Sequence, residues 1–201
     1  MNVKRTQVAR SEATRGALIG AARALFGERG YVDVGTEEIV AVAGVTRGAL
    51  YHQFRDKEDL ALAVLDWVNE TWSHEVGEPA ERERDPVAAL TALARGHAVY
   101  CRRDVARVMM ALRIEFSGQD HPVGREINRV SAILVKLCAR LINAGRRDGS
   151  IPQGPPAKTV ALAYWGALEG AVIAVAGQPP HDELLAAHTV AGVLGLEPPP
   201  N

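Results

Sequence analysis

The residues of this 201-residue chain best suited to do chemistry lie close together between Val34 and Lys57. The chemistry they suit is the binding of a polyanion and of the edges of flat bases. Thr46 stands where a short helix must begin. Its hydroxyl caps that helix, and the unpaired N–H groups of the first turn, at the positive end of the helix dipole, favour a phosphate. Arg47 adds a planar fork of donors that reaches a phosphate or a guanine edge. Gly48 lets the backbone come close, Ala49 is too small to obstruct, and Tyr51 and His52 follow on the next turn with polar tips for phosphate or base edges. A helix from Thr36 to Ala43, a tight turn at Gly44 and this second short helix have the geometry that sets one helix end in the major groove of DNA. Taken alone, the same spacing also fits a helical pair that merely ends in polar residues.

No comparable set supports catalysis. The chain has no His-Glu-x-x-His, no Glu-x-x-His pair, no phosphate-binding glycine loop and no nucleophile elbow, and His74, His97, His121, His181 and His188 show no ligand spacing. Cys101 and Cys138 are too few and too far apart for a disulfide framework or a zinc module, and read as reduced thiols of a cytoplasmic protein. No enzyme activity, metal or cofactor is expected.

The elements that must position the Val34–Lys57 stretch are helices. Apolar residues make up 47% of the chain, aromatics only 5%, and Ala, Leu, Arg and Glu outnumber β-branched runs, which predicts an all-α fold with ample core. Leu18, Ala22, Leu25 and Phe26 recur at helical spacing between Ser11 and Arg29, with Gly30 as a stop and a basic arm holding Lys4, Arg5 and Arg10 ahead. Asp56 caps a fourth helix with Leu60, Val64, Trp67 and Val68 on its apolar face. No proline precedes Pro79, and later prolines punctuate further helices. Helices are expected from Asp85-Pro86, over Asp104 to Phe116, through Ile127 to Ile142 until a break from Gly145 to Gly154, over Ala157 to Ala176 and over Asp182 to Leu194. About nine helices follow, as a three-helix helix-turn-helix domain over residues 1–56, a ligand-binding and dimerisation domain over 57–195, and a flexible tail over 196–201. Between Thr159 and Gly177 the chain is almost wholly apolar around Glu169, and reads as a buried helix in preference to a membrane span.

Charge by itself would not reveal a DNA-binder. The net charge is −1, and residues 1–60 carry nine Lys or Arg against eight Asp or Glu. The order of residues says more. Thr14-Arg15, Ala21-Ala22, Leu25-Phe26, Gly30-Tyr31, Ile39, Ala43-Gly44-Val45-Thr46, Gly48, Leu50-Tyr51, Phe54, Lys57 and Leu60 together resemble the DNA-binding domain of the TetR family of bacterial transcriptional repressors. The resemblance covers about a quarter of the chain. It implies that Thr36, Thr46, Arg47, Gly48, Tyr51, His52 and Lys57 fall at positions used on DNA, with Lys57 clamping a phosphate. Two residues depart from the pattern. Gly35 replaces the usual Ser or Thr cap, and Gln53 stands where His commonly precedes the Phe, so its amide can bond a phosphate without carrying charge. Phe26, Tyr31, Leu50 and Phe54 read as core.

The resemblance further implies a homodimer on double-stranded operator DNA, and a pocket after Leu60 whose filling by a small-molecule effector spreads the two heads. Pocket candidates are Trp67, Leu93, His97, Tyr100, Met109, Met110, Arg113, Phe116, Tyr164, Trp165 and Glu169, although ordinary core is the favoured account of the His97 ring and of the methionines. Glu169 shares a helical face with Leu162, Trp165 and Val172, and its carboxylate needs a partner there. The Ala- and Gly-rich last helices suit close packing between subunits, with Leu168, Ala171, Val172, Val175, Leu185, His188 and Leu194 as interface candidates. Packing within one chain accounts for the same residues. A helical ligand-binding protein that has lost DNA binding, and an activator of the same fold, are the rival readings.

Overall fold

The computed structural model describes residues 2–175 and 177–197, with side chains from residue 7 onward. Lys4, Arg5, Ala176 and the tail from residue 198 lie outside that description, wholly or in their side chains. Among the described residues every regular element is helical: α1 (Asn2–Arg29), α2 (Thr36–Ala43), α3 (Arg47–Gln53), α4 (Lys57–Trp72), a π-helical turn (Ser73–Gly77), α5 (Glu78–Glu81), α6 (Pro86–Tyr100), α7 (Val105–Glu115), α8 (Pro122–Asp148), α9 (Ala157–Val175) and α10 (His181–Leu194). Because α4, the π turn and α5 form one uninterrupted run, these make nine helical rods, in line with the expected number. The π turn sits directly ahead of Pro79, whose ring nitrogen cannot donate to the helical ladder.

Three boundaries differ from expectation. Helix α1 begins at Asn2, so the basic segment ahead of Ser11 continues the helix instead of forming a separate arm. Helix α8 runs past Gly145 to Asp148, because the chain folds back so that Ile151 lies where a Cβ at Gly145 would be only 2.6 Å away. The third difference is the division of the chain. Its two compact units are residues 1–69 with 104–128, and residues 70–103 with 129–201, so the units do not part after residue 56.

In the first unit α1 packs on α2, α3 and α7. Leu18, Ala22, Phe26, Val34, Ile39, Leu50, Phe54 and Leu60 are all buried there, as are Val105, Val108 and Leu112 from α7. The reading of Phe26, Leu50 and Phe54 as core holds, and Tyr31 is half-buried beside them. In the second unit α6 packs on α9 and α10. Tyr164, fully buried, donates its hydroxyl to the Leu90 carbonyl at 2.6 Å, and Asp182, also buried, takes a two-pronged ion pair from Arg102 at 2.8 and 2.9 Å.

Helix α9 is long and apolar enough to cross a membrane, by length and composition alone. It is not the buried helix that its composition predicts. Ala161, Tyr164, Trp165, Leu168 and Val172 face inward, whereas Leu162, Ala163, Gly166, Gly170, Ile173 and Ala174 are exposed, because neighbours cover only one side.

Candidate nucleic-acid interface

The helix-turn-helix is built by local rules. Gly44 ends α2 in the left-handed region at φ 66°, and the amides of Gly44 and Val45 return to the Ala41 and Val40 carbonyls. Thr46 is extended at φ −88° and ψ 157°, and its Oγ1 accepts the Ala49 amide at 3.2 Å. That cap starts α3, and Arg47 and Gly48 of its first turn are exposed. Ile39, Leu50 and Phe54 pin the two helices from inside, and Thr46, Arg47, Gly48, Tyr51 and His52 are exposed. Thr36 and Ala49 are half-buried. A Cβ at Gly48 would meet nothing nearer than Thr46 Oγ1 at 3.9 Å, so nothing inside the chain requires a glycine there.

The departure at Gly35 is partly made good. Gly35 offers no side-chain cap, but Glu38 reaches back and accepts its amide at 3.3 Å, while Arg29 donates to the other Glu38 oxygen at 2.8 Å. The Arg29 guanidinium and that amide hold the Glu38 carboxyl below its ordinary value.

Two of the expected contact residues are engaged within the chain. Gln53 donates to the Ser11 hydroxyl at 2.7 Å, and its own carbonyl receives Arg15 at 3.3 Å. The Lys57 ammonium donates to the Tyr31 and Val34 carbonyls at 2.9 and 3.0 Å and lies 4.2 Å from the centre of the Tyr31 ring. Burial lowers the Lys57 ammonium below its ordinary pKa, against the pull of Glu115 and Asp33. One residue that the sequence did not single out belongs with the site. Glu37, in the first turn of α2, accepts from Arg47 at 3.0 Å, and the Arg47 guanidinium lies 5.6 Å from the centre of the Tyr51 ring. Its place at the start of a predicted helix gave no sign of that partner.

The pocket candidates divide between the units. Trp67, Met109, Met110, Arg113 and Phe116 belong to the first, where Arg23 covers Trp67 at 4.2 Å and Phe116 stacks on His121 at 4.3 Å. Leu93, His97, Tyr100, Tyr164, Trp165 and Glu169 belong to the second. There Trp72 donates to His97 Nδ1 at 3.1 Å, the His97 and Trp165 rings are 5.0 Å apart, and the Tyr100 and Thr71 hydroxyls share a hydrogen bond of 2.5 Å. Trp165 Nε1 is buried and, among the described residues, has no acceptor. A gap bordered by His97, Ala94, Ala171 and Ala186 is too tight to admit water, while a cleft of about 270 Å³ opens between Leu93, Leu137 and Leu141 under a rim of Glu81, Glu83 and Arg140. Glu169 is half-buried, and its charge, after burial itself, helps push the Cys101 thiol up to about 12. Burial pushes Cys138 up to about 12 as well, so both thiols stay protonated at neutral pH.

Among the interface candidates, Leu168, Val172 and Leu194 are consumed by packing within their own chain and present nothing outward. Ala171, Val175 and His188 are half-buried, and Leu185 is exposed. The large exposed apolar residues on α9 are Leu162 and Ile173, which alternating small residues had hidden from the sequence reading.

Fold and site together define an all-helical protein with a helix-turn-helix whose second helix is capped by Thr46. Residues 18–64, about a quarter of the chain, match the sequence model of the bacterial regulatory proteins of the tetR family. The HTH-type transcriptional regulator TtgR of Pseudomonas putida is 38% identical over 92 residues, and the matched region spans 45% of this chain and only 43% of TtgR. The HTH-type transcriptional repressor BepR of Brucella suis biovar 1 is 29% identical over 169 residues, 79% of this chain and 78% of BepR. A crystal structure of AibR in complex with isovaleryl coenzyme A and operator DNA shares the fold with a TM-score of 0.75 at 21% identity, covering 92% of this chain and 100% of AibR.

Proposed function

We propose that the chain is a cytoplasmic transcriptional repressor that binds operator DNA as a homodimer and leaves it when a small molecule enters its downstream helices. The observation that carries this reading is the outward first turn of α3, capped by Thr46, with Arg47, Gly48, Tyr51 and His52 exposed on it. Unpaired amides, a helix dipole and a guanidinium there suit a phosphate and a base edge together. DNA reading belongs to the head over residues 1–56, whose compact unit also takes in residues 57–69 and 104–128, and effector binding and dimerisation belong to the helices over 57–195. The structure of AibR in complex with isovaleryl coenzyme A and operator DNA, and the repressor BepR, support a repressor that binds both operator DNA and a small molecule. The buried Trp165 N–H, which has no acceptor among the described residues, supports a ligand site in the second unit, because such a donor is satisfied by an oxygen acceptor. The exposed apolar side of α9 supports pairing of two copies.

Two heads on one dimer favour a pseudo-palindrome with half-sites about one helical turn apart or somewhat more. Genomic fragments selected by the protein give the probe. In a gel-shift assay at fixed salt, Arg47→Ala with Tyr51→Ala abolishes retention of the best fragment, and small molecules are then screened for its release. Undiminished retention by the double variant defeats the reading.

A further inference from the structure

We infer that Glu37 is a specificity-determining residue, which orients the Arg47 fork toward a guanine while repelling DNA that does not offer one. The inference rests on the DNA-binding reading above. Glu37 Oε1 holds Arg47 Nη1 at 3.0 Å, and the Tyr51 ring flanks the same guanidinium at 5.6 Å, so the arginine is bracketed from both short helices of the motif. The two charged side chains are 77% and 63% exposed. An ion pair so wet adds little to folding. Nor is Glu37 needed to start α2, since its neighbour Glu38 performs that task by accepting the Gly35 amide.

What remains for the Glu37 carboxylate is its effect on whatever meets Arg47. Among exposed groups beside the Thr46 cap, an acid opposes a phosphate backbone, and the first 60 residues hold only nine cations against eight acids to offset it. The same acid occupies one edge of the guanidinium, leaving the other donors to form a paired contact of the kind that guanine O6 and N7 accept. A free arginine satisfies itself on any phosphate. One tethered by Glu37 loses less freedom on meeting a guanine and gains less from a phosphate.

The test compares the wild type, Glu37→Gln, Arg47→Lys and the double variant on three DNAs: the best selected fragment, that fragment with each G·C pair of the half-site changed in turn, and scrambled DNA. Glu37→Gln is expected to bind scrambled DNA more tightly, and to lose about tenfold of the preference for one G·C pair. Its thermal midpoint stays at the wild-type value. Because Glu37 acts through Arg47, the double variant discriminates no worse than Arg47→Lys alone. If the wild type itself fails to prefer the selected fragment, the DNA-binding reading falls. If the wild type discriminates and Glu37→Gln discriminates equally well, that reading stands and the role of Glu37 is overturned.

Discussion

The carboxylate of Glu115, the last residue of α7, accepts the backbone amides of Tyr31 and Val32 at 2.5 and 2.6 Å. Lys57 takes carbonyls of the same segment from the start of α4. The link between α1 and the helix-turn-helix is therefore held at its donors by an acid and at its acceptors by an ammonium. Tyr31 itself lies edge-on to Phe116, with ring centres 5.2 Å apart, which ties the segment to α7 a second time.

Replacing Glu115 by Ala leaves two amides without their charged acceptor. Hydrogen bonds to an ionised group contribute more than neutral ones, so the variant should lose about 2 kcal/mol, or roughly 4–8 °C in thermal midpoint for a chain of this size. Glu115→Gln, which keeps one acceptor, should fall between. Calorimetry reads this directly, and an unmoved midpoint would show that the contact is idle.

For Lys57, loss of the ammonium should show in folding and leave the salt dependence of DNA binding unchanged. Lys57→Met removes two carbonyl contacts at a cost of about 1–3 kcal/mol. A phosphate clamp would instead shift the slope of log K against log salt by about one unit. Denaturant titration and binding at several salt concentrations separate the two roles.

The ion pair between Arg102 and buried Asp182 carries a pH signature. Hydrogen bonding from Arg102 holds the Asp182 carboxyl below its ordinary 3.8, so the folded protein keeps this group ionised where the unfolded chain would protonate it. Its contribution is complete above the ordinary value and drains away as pH falls through the lower folded one. Asp182→Asn should cost about 1–3 kcal/mol at pH 7, since Arg102 keeps Glu183 and its contact with water, and the gap between variant and wild type should narrow only below the ordinary carboxylate range. A gap that is constant in acid would remove the ionised carboxylate as its cause.

If α9 pairs two copies, a charge on its open side should separate them without unfolding either. Leu162 and Ile173 are 54% and 63% exposed, so Leu162→Glu with Ile173→Glu disturbs no core contact. Sedimentation should report a folded monomer with unchanged helical content. A dimer that persists would place the interface elsewhere.

How much was legible in advance follows from the range of the interactions. The helix-turn-helix is written in neighbours: Gly44 closes α2, Thr46 caps α3, and Leu50 and Phe54 fall one turn apart. The start of α1 is not legible because the basic residues ahead of Ser11 show no apolar periodicity, although they form helix well enough to extend it. Glu115 meets its amides across 84 and 83 residues, and Arg102 meets Asp182 across 80, and such separations leave no local trace. On α9 both sides are apolar, so periodicity could not tell which would be covered. Sequence spacing puts Leu162 and Val172 on one face and offers Leu168 and Val172 for an interface, whereas Leu162 is exposed and the other two are buried.

The compact unit that holds the helix-turn-helix is completed by a piece arriving from far down the chain, residues 104–128. A chimera that transplants only the first 69 residues onto a foreign sensor would strip α1 of its partner and leave Tyr31 without Glu115. Engineers exchanging specificities within this chain must carry α7 along with the head, or graft the recognition side chains singly onto the recipient's own scaffold.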